Sequence, residues 1–200
     1  MLAQNVGDYS RIKSDDWPLY IQPKLDGVRC LIQYNKLNCG EHEVVAYSRT
    51  GKQWKNIAHI CVQLKPFFKK HPNVILDGEL YNHDFKDDFE SIISMVRKTK
   101  PTEEDRVKSV DNVQFHCYDT IMEHMPYHDR AKFLISNLRD SYCVKFLPAW
   151  SVDSDERAKL YHQENLGAGY EGSILRTNDI YKCGRSWSLR KFKDFSDAEA

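Results

Sequence analysis

With 200 residues, 41% of them hydrophobic and 12% aromatic, the chain has apolar material for one sizeable core or two small ones. Its 29 basic and 29 acidic residues cancel, so no global field can steer a polyanion, and any nucleic-acid partner must meet a local basic patch. The six cysteines (Cys30, Cys39, Cys61, Cys117, Cys143, Cys183) form no Cys-x-x-Cys pair, which argues against a zinc ribbon or a disulfide framework and for reduced thiols. Cys39 and His42 have a metal-like spacing but no second pair nearby. The N-terminus has no apolar signal core, and no stretch approaches the ~18 apolar residues of a membrane helix. A cytoplasmic protein without a membrane partner is the expectation.

In chain order, "PLYIQPKLDGVRCLIQYN", "EVVAYSRTG" and "NVILDGELYN" are β-branched and aromatic runs punctuated by Asp-Gly and Ser-Arg-Thr-Gly turns, and predict strands and hairpins. Between the second and third, Trp54, Ile57, Ala58, Cys61 and Leu64 repeat with the spacing of one helical face. Phe89, Ile92, Ile93 and Val96 do the same, with acids leading and bases trailing as the helix dipole prefers. "KTKPTEEDRVKSVDN" reads as a polar loop and "VQFHCYDTI" as a buried strand. "YHDRAKFLISNLRD" and "SDERAKLYHQENLG" read as amphipathic helices, the second ending at Gly167, and "EGSILRT" and "WSLRKFKDF" as short strands. No repeat or linker divides the chain, which predicts one α+β domain built on antiparallel sheets.

The segment from Lys24 to Arg29 supports two readings. Asp26-Gly27 is a favoured hairpin dipeptide flanked by solvated charges. Alternatively, Lys24 is a nucleophile, and then it needs help: with the ordinary lysine pKa of ~10.4, only one lysine in about 2,000 is neutral at pH 7. Lowering that value by ~3 units costs the ammonium form about 4 kcal/mol, which burial or neighbouring cations can supply. Asp26 works in the opposite sense; Arg29, Arg49, Lys191 and Lys193 are candidates to outweigh it.

"KLDGVR" resembles the Lys-x-Asp-Gly-x-Arg attachment motif of the covalent nucleotidyltransferases: ATP-dependent DNA ligases, RNA ligases and mRNA capping enzymes. "SRTG" (48–51), "DGELY" (77–81), "CYDTI" (117–121), "EGSILR" (171–176) and "LRKFKDF" (189–195) follow in the family's order, so the resemblance covers nearly the whole chain. The "LDGVR" form, Arg176 and the "KFKDFSDAEA" ending are most similar to DNA ligases, in particular the small enzymes of bacteriophages, other viruses or bacterial repair, with a phage favoured. RNA ligase, capping guanylyltransferase and a non-catalytic nucleic-acid-binding relative are the alternatives.

The resemblance implies an ATP-grasp-like domain over residues 1–200, with two antiparallel sheets flanked by helices and the nucleotide in the cleft between them. It also implies an OB-fold domain after residue 200, absent from this chain, without which self-adenylation would be slow. Lys24 would take AMP from ATP as a phosphoramidate, pass it to the 5′-phosphate of a DNA nick, and let the 3′-hydroxyl displace it. Arg29 and Arg49 would bind nucleotide or nick phosphate. Glu79 would hold the ribose hydroxyl, Tyr118 would stack on adenine, and Gln22 would touch the adenine edge. Glu171, with Asp26, would hold Mg²⁺ or Mn²⁺. Lys191 and Lys193, two apart on a strand, would share one phosphate-facing side. Lys182, Arg185 and Arg190, in an acid-free stretch containing Trp187, would join Arg49 on the backbone of nicked double-stranded DNA bound by a monomer.

Overall fold

The computed structural model describes residues 1–6, 12–36 and 42–193. In chain order the elements are β1 (Leu2–Asn5), β2 (Leu19–Lys24), β3 (Val28–Lys36), β4 (His42–Tyr47), α1 (Ala58–Lys70), β5 (Ile75–Tyr81), α2 (Phe89–Val96), α3 (Glu103–Asn112), β6 (Gln114–Ile121), α4 (Tyr127–Asn137), β7 (Val144–Phe146), β8 (Trp150–Val152), α5 (Asp155–Gly167), β9 (Gly172–Arg176) and β10 (Arg185–Lys193). The α+β class holds, and the chain divides into two compact units, each with a five-stranded sheet.

The first unit gathers Met1–Asp26, His124–Tyr127 and Pro148–Ala200. Its sheet has the order β1-β10-β9-β2-β8. Leu19 and Ile21 of β2, Leu175 of β9 and Phe192 of β10 are buried in one cluster with Val152 and with Ala158 of α5. Each of these side chains larger than alanine contributes about 1.5–3 kcal/mol on burial. Period-2 alternation then turns Gln22 and Lys24, Ile174, Lys191 and Lys193 to the opposite face. The register sets Lys24 opposite Gly172 and Gly172 opposite Lys193, with Gln22, Ile174 and Lys191 in the next row.

The second unit comprises Gly27–Glu123 and His128–Leu147, with sheet order β4-β3-β5-β6-β7. Ile32, Leu76, Phe115, Leu64, Phe68 and Leu134 lie in its larger core cluster. The expected face of α1 holds except at Ala58, which is exposed: Ile57 and Leu64 are buried with Trp54 and Cys61 packed against them, and Ile60, Phe67 and Phe68 extend the buried face.

Four expectations are corrected here. Both sheets are mixed, not antiparallel: β1 runs parallel to β10, and β7 parallel to β6. The β6–α4–β7 crossover requires the second, because returning through a helix restores strand direction. Next, Asp26-Gly27 is no hairpin turn, since β2 pairs with β8 and β9 whereas β3 pairs with β4 and β5. The dipeptide carries the chain from one sheet to the other. Likewise Asp77-Gly78 is mid-strand in β5, where a Cβ on Gly78 would sit 2.5 Å from the His116 carbonyl oxygen. Finally, the polar loop contains α3, a helix whose Val107 and Val110 are exposed. It is held at its ends instead. Thr102 and Asp105 form a capping box, and Ser109 donates to the carbonyl of buried Asn56, whose amide donates to the Met95 and Asp105 carbonyls at 2.9 and 3.2 Å.

No helix among the described residues is long and apolar enough to cross a membrane. The described cysteines are free, and Cys39 lies outside the described residues. Burial pushes the Cys30 and Cys117 thiols well up, and Cys61 to about 11, which keeps them protonated and unreactive.

Candidate active site

Lys24 closes β2, and its ammonium is paired with the Glu171 carboxylate through Oε2. The other oxygen of Glu171, Oε1, is paired with Lys193. The backbone explains how one carboxylate serves two strands. Gly172, next in sequence, lies between Lys24 and Lys193 in the cross-strand row, and with no side chain it leaves the space above the strand to its neighbours. Its φ of +150° is one that L side chains rarely adopt, and a Cβ there would collide with the Phe192 carbonyl. Gly172→Ala is therefore expected to cost at least about 2 kcal/mol, read as a lower urea midpoint with an unchanged slope.

Gln22, one row away, is 2% exposed, and its side-chain oxygen has no hydrogen-bond partner among the described residues. A buried amide acceptor without a donor is costly; it is a position that a ligand amine would complete. The resemblance implies that Asp26 joins Glu171 at the metal. Asp26 is exposed, and among the described residues no hydrogen bond or ion pair joins it to Lys24. Glu171, not Asp26, is the acid beside the lysine. Among the described residues no cluster of three His, Cys, Asp or Glu side chains could hold a metal.

In the second unit, Arg29 of β3 donates to Asp77 from Nε at 3.0 Å and from Nη2 at 2.8 Å. It is thus a held strand residue, not a loose surface arginine. Its cross-strand neighbour is Glu79, which accepts from the Tyr118 hydroxyl at 3.5 Å. Tyr118 sits where the β5–β6 register slips between Asp77 and Gly78, an irregularity that re-aims a side chain. The tyrosine is half-buried on the same side as Arg29 and Glu79. Arg49 projects from a tight turn closed by Gly51 N–H to Ser48 O at 3.0 Å and is exposed.

Two features of this unit were not legible from motifs. Arg130 of α4 grips Asp119 through Nε at 2.7 Å and Nη2 at 3.0 Å, both side chains almost wholly buried. Asp119 is the cross-strand partner of Asp77, so two adjacent carboxylates are each held by their own arginine. Beside them on β6, His116 is pushed down to about 4 by burial, with Lys145 adding to the effect. Its folded pKa lies below the unfolded value, so the stability it contributes is complete above about pH 6.5 and is lost as pH falls toward 4. The loss amounts to roughly 2–3 kcal/mol. A His116→Gln variant should show a correspondingly smaller drop in unfolding free energy between pH 7 and pH 4.5, measured by urea titration.

The acid-free stretch from Lys182 to Lys193 is not an acid-free surface. Asp179 pairs with Lys182, and Asp16 with Arg190 at 2.7 Å. Arg190 is 5% exposed and alternates onto the core side of β10, so its guanidinium faces the protein and not a backbone phosphate. Arg185 is exposed, and donates to the Ala3 carbonyl at 3.3 Å. Lys191 stays half-exposed on the face of Lys193.

The architecture is that of the nucleotidyltransferase domains of ATP-dependent ligases. A bacteriophage T7 ATP-dependent DNA ligase solved in complex with ATP superposes with a TM-score of 0.70 at 18% identity, over 95% of this chain and 67% of that one. A Chlorella virus DNA ligase-adenylate gives 0.69 at 20% identity, over 96% and 67%. A solved chain designated Pmar-Lig_PreS3 gives 0.72 at 22% identity over 96% of this chain, which spans only 46% of its length. The profile of the ATP-dependent DNA ligase domain matches residues 1–193, and the chain belongs to that family. No curated protein matches it by sequence.

Proposed function

We propose that this chain is the adenylate-accepting part of an ATP-dependent DNA ligase acting on nicked duplex DNA, with Lys24 as its nucleophile. The observation that carries the reading is the shared carboxylate of Glu171, which holds Lys24 and Lys193 side by side on the polar face of the first sheet. The Lys24 ammonium would first lose one proton to solvent; its nitrogen would then bond to the α-phosphorus of ATP as the bond to the α–β bridging oxygen breaks, with pyrophosphate leaving and a second N–H proton lost to give the phosphoramidate. Lys193 and Lys191 would offset charge on the phosphate oxygens. Gln22 is assigned to the base edge, where its unpartnered side-chain oxygen would accept from the adenine amine.

From the second unit we assign Glu79 to the ribose hydroxyl, Tyr118 to the adenine ring, and Arg29 and Arg49 to phosphate oxygens. Glu171 would hold Mg²⁺ or Mn²⁺ as such ions are usually held, by one carboxylate with substrate oxygens and water. That ion would supply charge stabilisation at the transferring phosphate. Arg185 and Arg49 would lead the DNA contacts, with Lys182 second because it must leave Asp179, and Arg190 is given a structural role. Transfer of label from α-labelled ATP in preference to GTP, and sealing of adenylated nicks in DNA in preference to RNA, test the reading. Preferential GMP transfer would replace it with capping chemistry.

A further inference from the structure

Ser173 follows Gly172 on β9 and points the other way, into the first unit's core, where it is 0% exposed. Two side chains of α5, three residues apart and so on one helical face, converge on its hydroxyl. Asn165 donates to Oγ at 2.9 Å, and His162 Nδ1 lies 3.0 Å from it. Having accepted from the amide, the hydroxyl has its own hydrogen for the imidazole nitrogen. His162 is itself buried and packs edge-on to Phe192, the neighbour of Lys193. A serine is not needed to fill an apolar core position, and a buried hydroxyl is tolerated there only because both partners are supplied.

The location gives the clamp its consequence. β8 pairs only with Leu19, Tyr20 and Ile21 of β2, so β9 is the paired neighbour of the Gln22–Lys24 end among the described residues. Gly172 has no side chain with which to anchor β9, and Glu171 precedes the strand. The first side chain that ties this end of β9 to the helix beneath is Ser173.

We propose that Ser173, clamped by His162 and Asn165, is a positioning residue for the charging of Lys24: it fixes β9 against α5 and thereby sets Glu171 between Lys24 and Lys193. This rests on the reading of Lys24 as the nucleophile. Displacements near 1 Å at a reacting group can cost on the order of 100-fold, so release of the clamp should appear in the rate and not in nucleotide affinity.

The test uses threonine and valine at 173, which share a shape and differ in the hydroxyl. Single-turnover formation of the covalent AMP adduct is followed with labelled ATP. The amplitude reports the folded fraction and the rate constant reports positioning. Ser173→Val should lower the rate constant about 10-fold relative to Ser173→Thr, with the ATP concentration at half-saturation unchanged within about twofold. Asn165→Ala, which leaves the core filled, should lower it about threefold if the valine variant does not fold. Equal rate constants for Thr and Val, or a change in amplitude alone, would overturn the positioning role. Lys24→Ala is the parallel control: an adduct that persists there refutes the nucleophile assignment itself, whatever the Ser173 variants do.

Discussion

Glu171→Ala is expected to slow formation of the lysyl-AMP adduct by at least about 100-fold, a loss near 2.7 kcal/mol in the barrier. The carboxylate has two opposed effects on Lys24. As an anion beside an ammonium it favours the charged form, which is not the nucleophile. As a clamp it holds Lys24 and Lys193 in one place, and as the acid beside the lysine it is the proposed metal ligand. Positioning and charge stabilisation at phosphate carry larger factors than the protonation fraction lost to one partly exposed ion pair, so the net effect of removal is a loss. Glu171→Gln should fall between wild type and alanine, because it keeps one acceptor and the reach of the side chain. Its residual activity should also persist to lower pH than that of wild type, since the anion that favours the ammonium is gone. Single-turnover rates across pH 6.5–9 with labelled ATP would show both effects. Wild-type rates for Glu171→Ala would remove it from the mechanism.

The second large effect is on stability. Asp119→Ala takes from Arg130, 1% exposed, the carboxylate that its Nε and Nη2 both grip, at an expected cost of about 3–5 kcal/mol. The same change removes the neighbour of Asp77 in the β5–β6 ladder, which loosens the support of Arg29 and of the register slip that aims Tyr118. Replacing both members, Asp119→Leu with Arg130→Met, should recover most of the loss, because desolvating the pair offsets much of its attraction. Urea unfolding of the three variants decides between a paired role and a packing role: a double variant as unstable as Asp119→Ala would show that Asp119 does more than pair with Arg130.

The motifs were legible because the chemistry is carried by short runs whose side chains the backbone delivers directly. Lys191 and Lys193 illustrate it: alternation alone puts them on one face, and the structure does so. The hairpin at Asp26-Gly27 illustrates the limit. Turn propensity is local, but the partners of β2 come from residues 150–152 and 172–176, so the pairing that sends β2 and β3 to separate sheets has no local signal. α3 was missed because its stabilising groups are caps and a buried asparagine 49 residues away instead of an apolar stripe. The acid-free run at 182–193 misled for the same reason, since Asp16 and Asp179 reach it through the fold. The clamp on Ser173 could have been suspected from a polar residue within the apolar "GSIL" run, but its partners could not.

Peptide mapping by mass spectrometry after incubation with ATP and Mg²⁺ tests Lys24 as the nucleophile most directly. A mass increase of one AMP is expected on the peptide containing Lys24, acid-labile as a phosphoramidate and absent from Lys24→Ala. An AMP adduct of the same yield in Lys24→Ala, or one mapped to another residue of the wild-type chain, would contradict it.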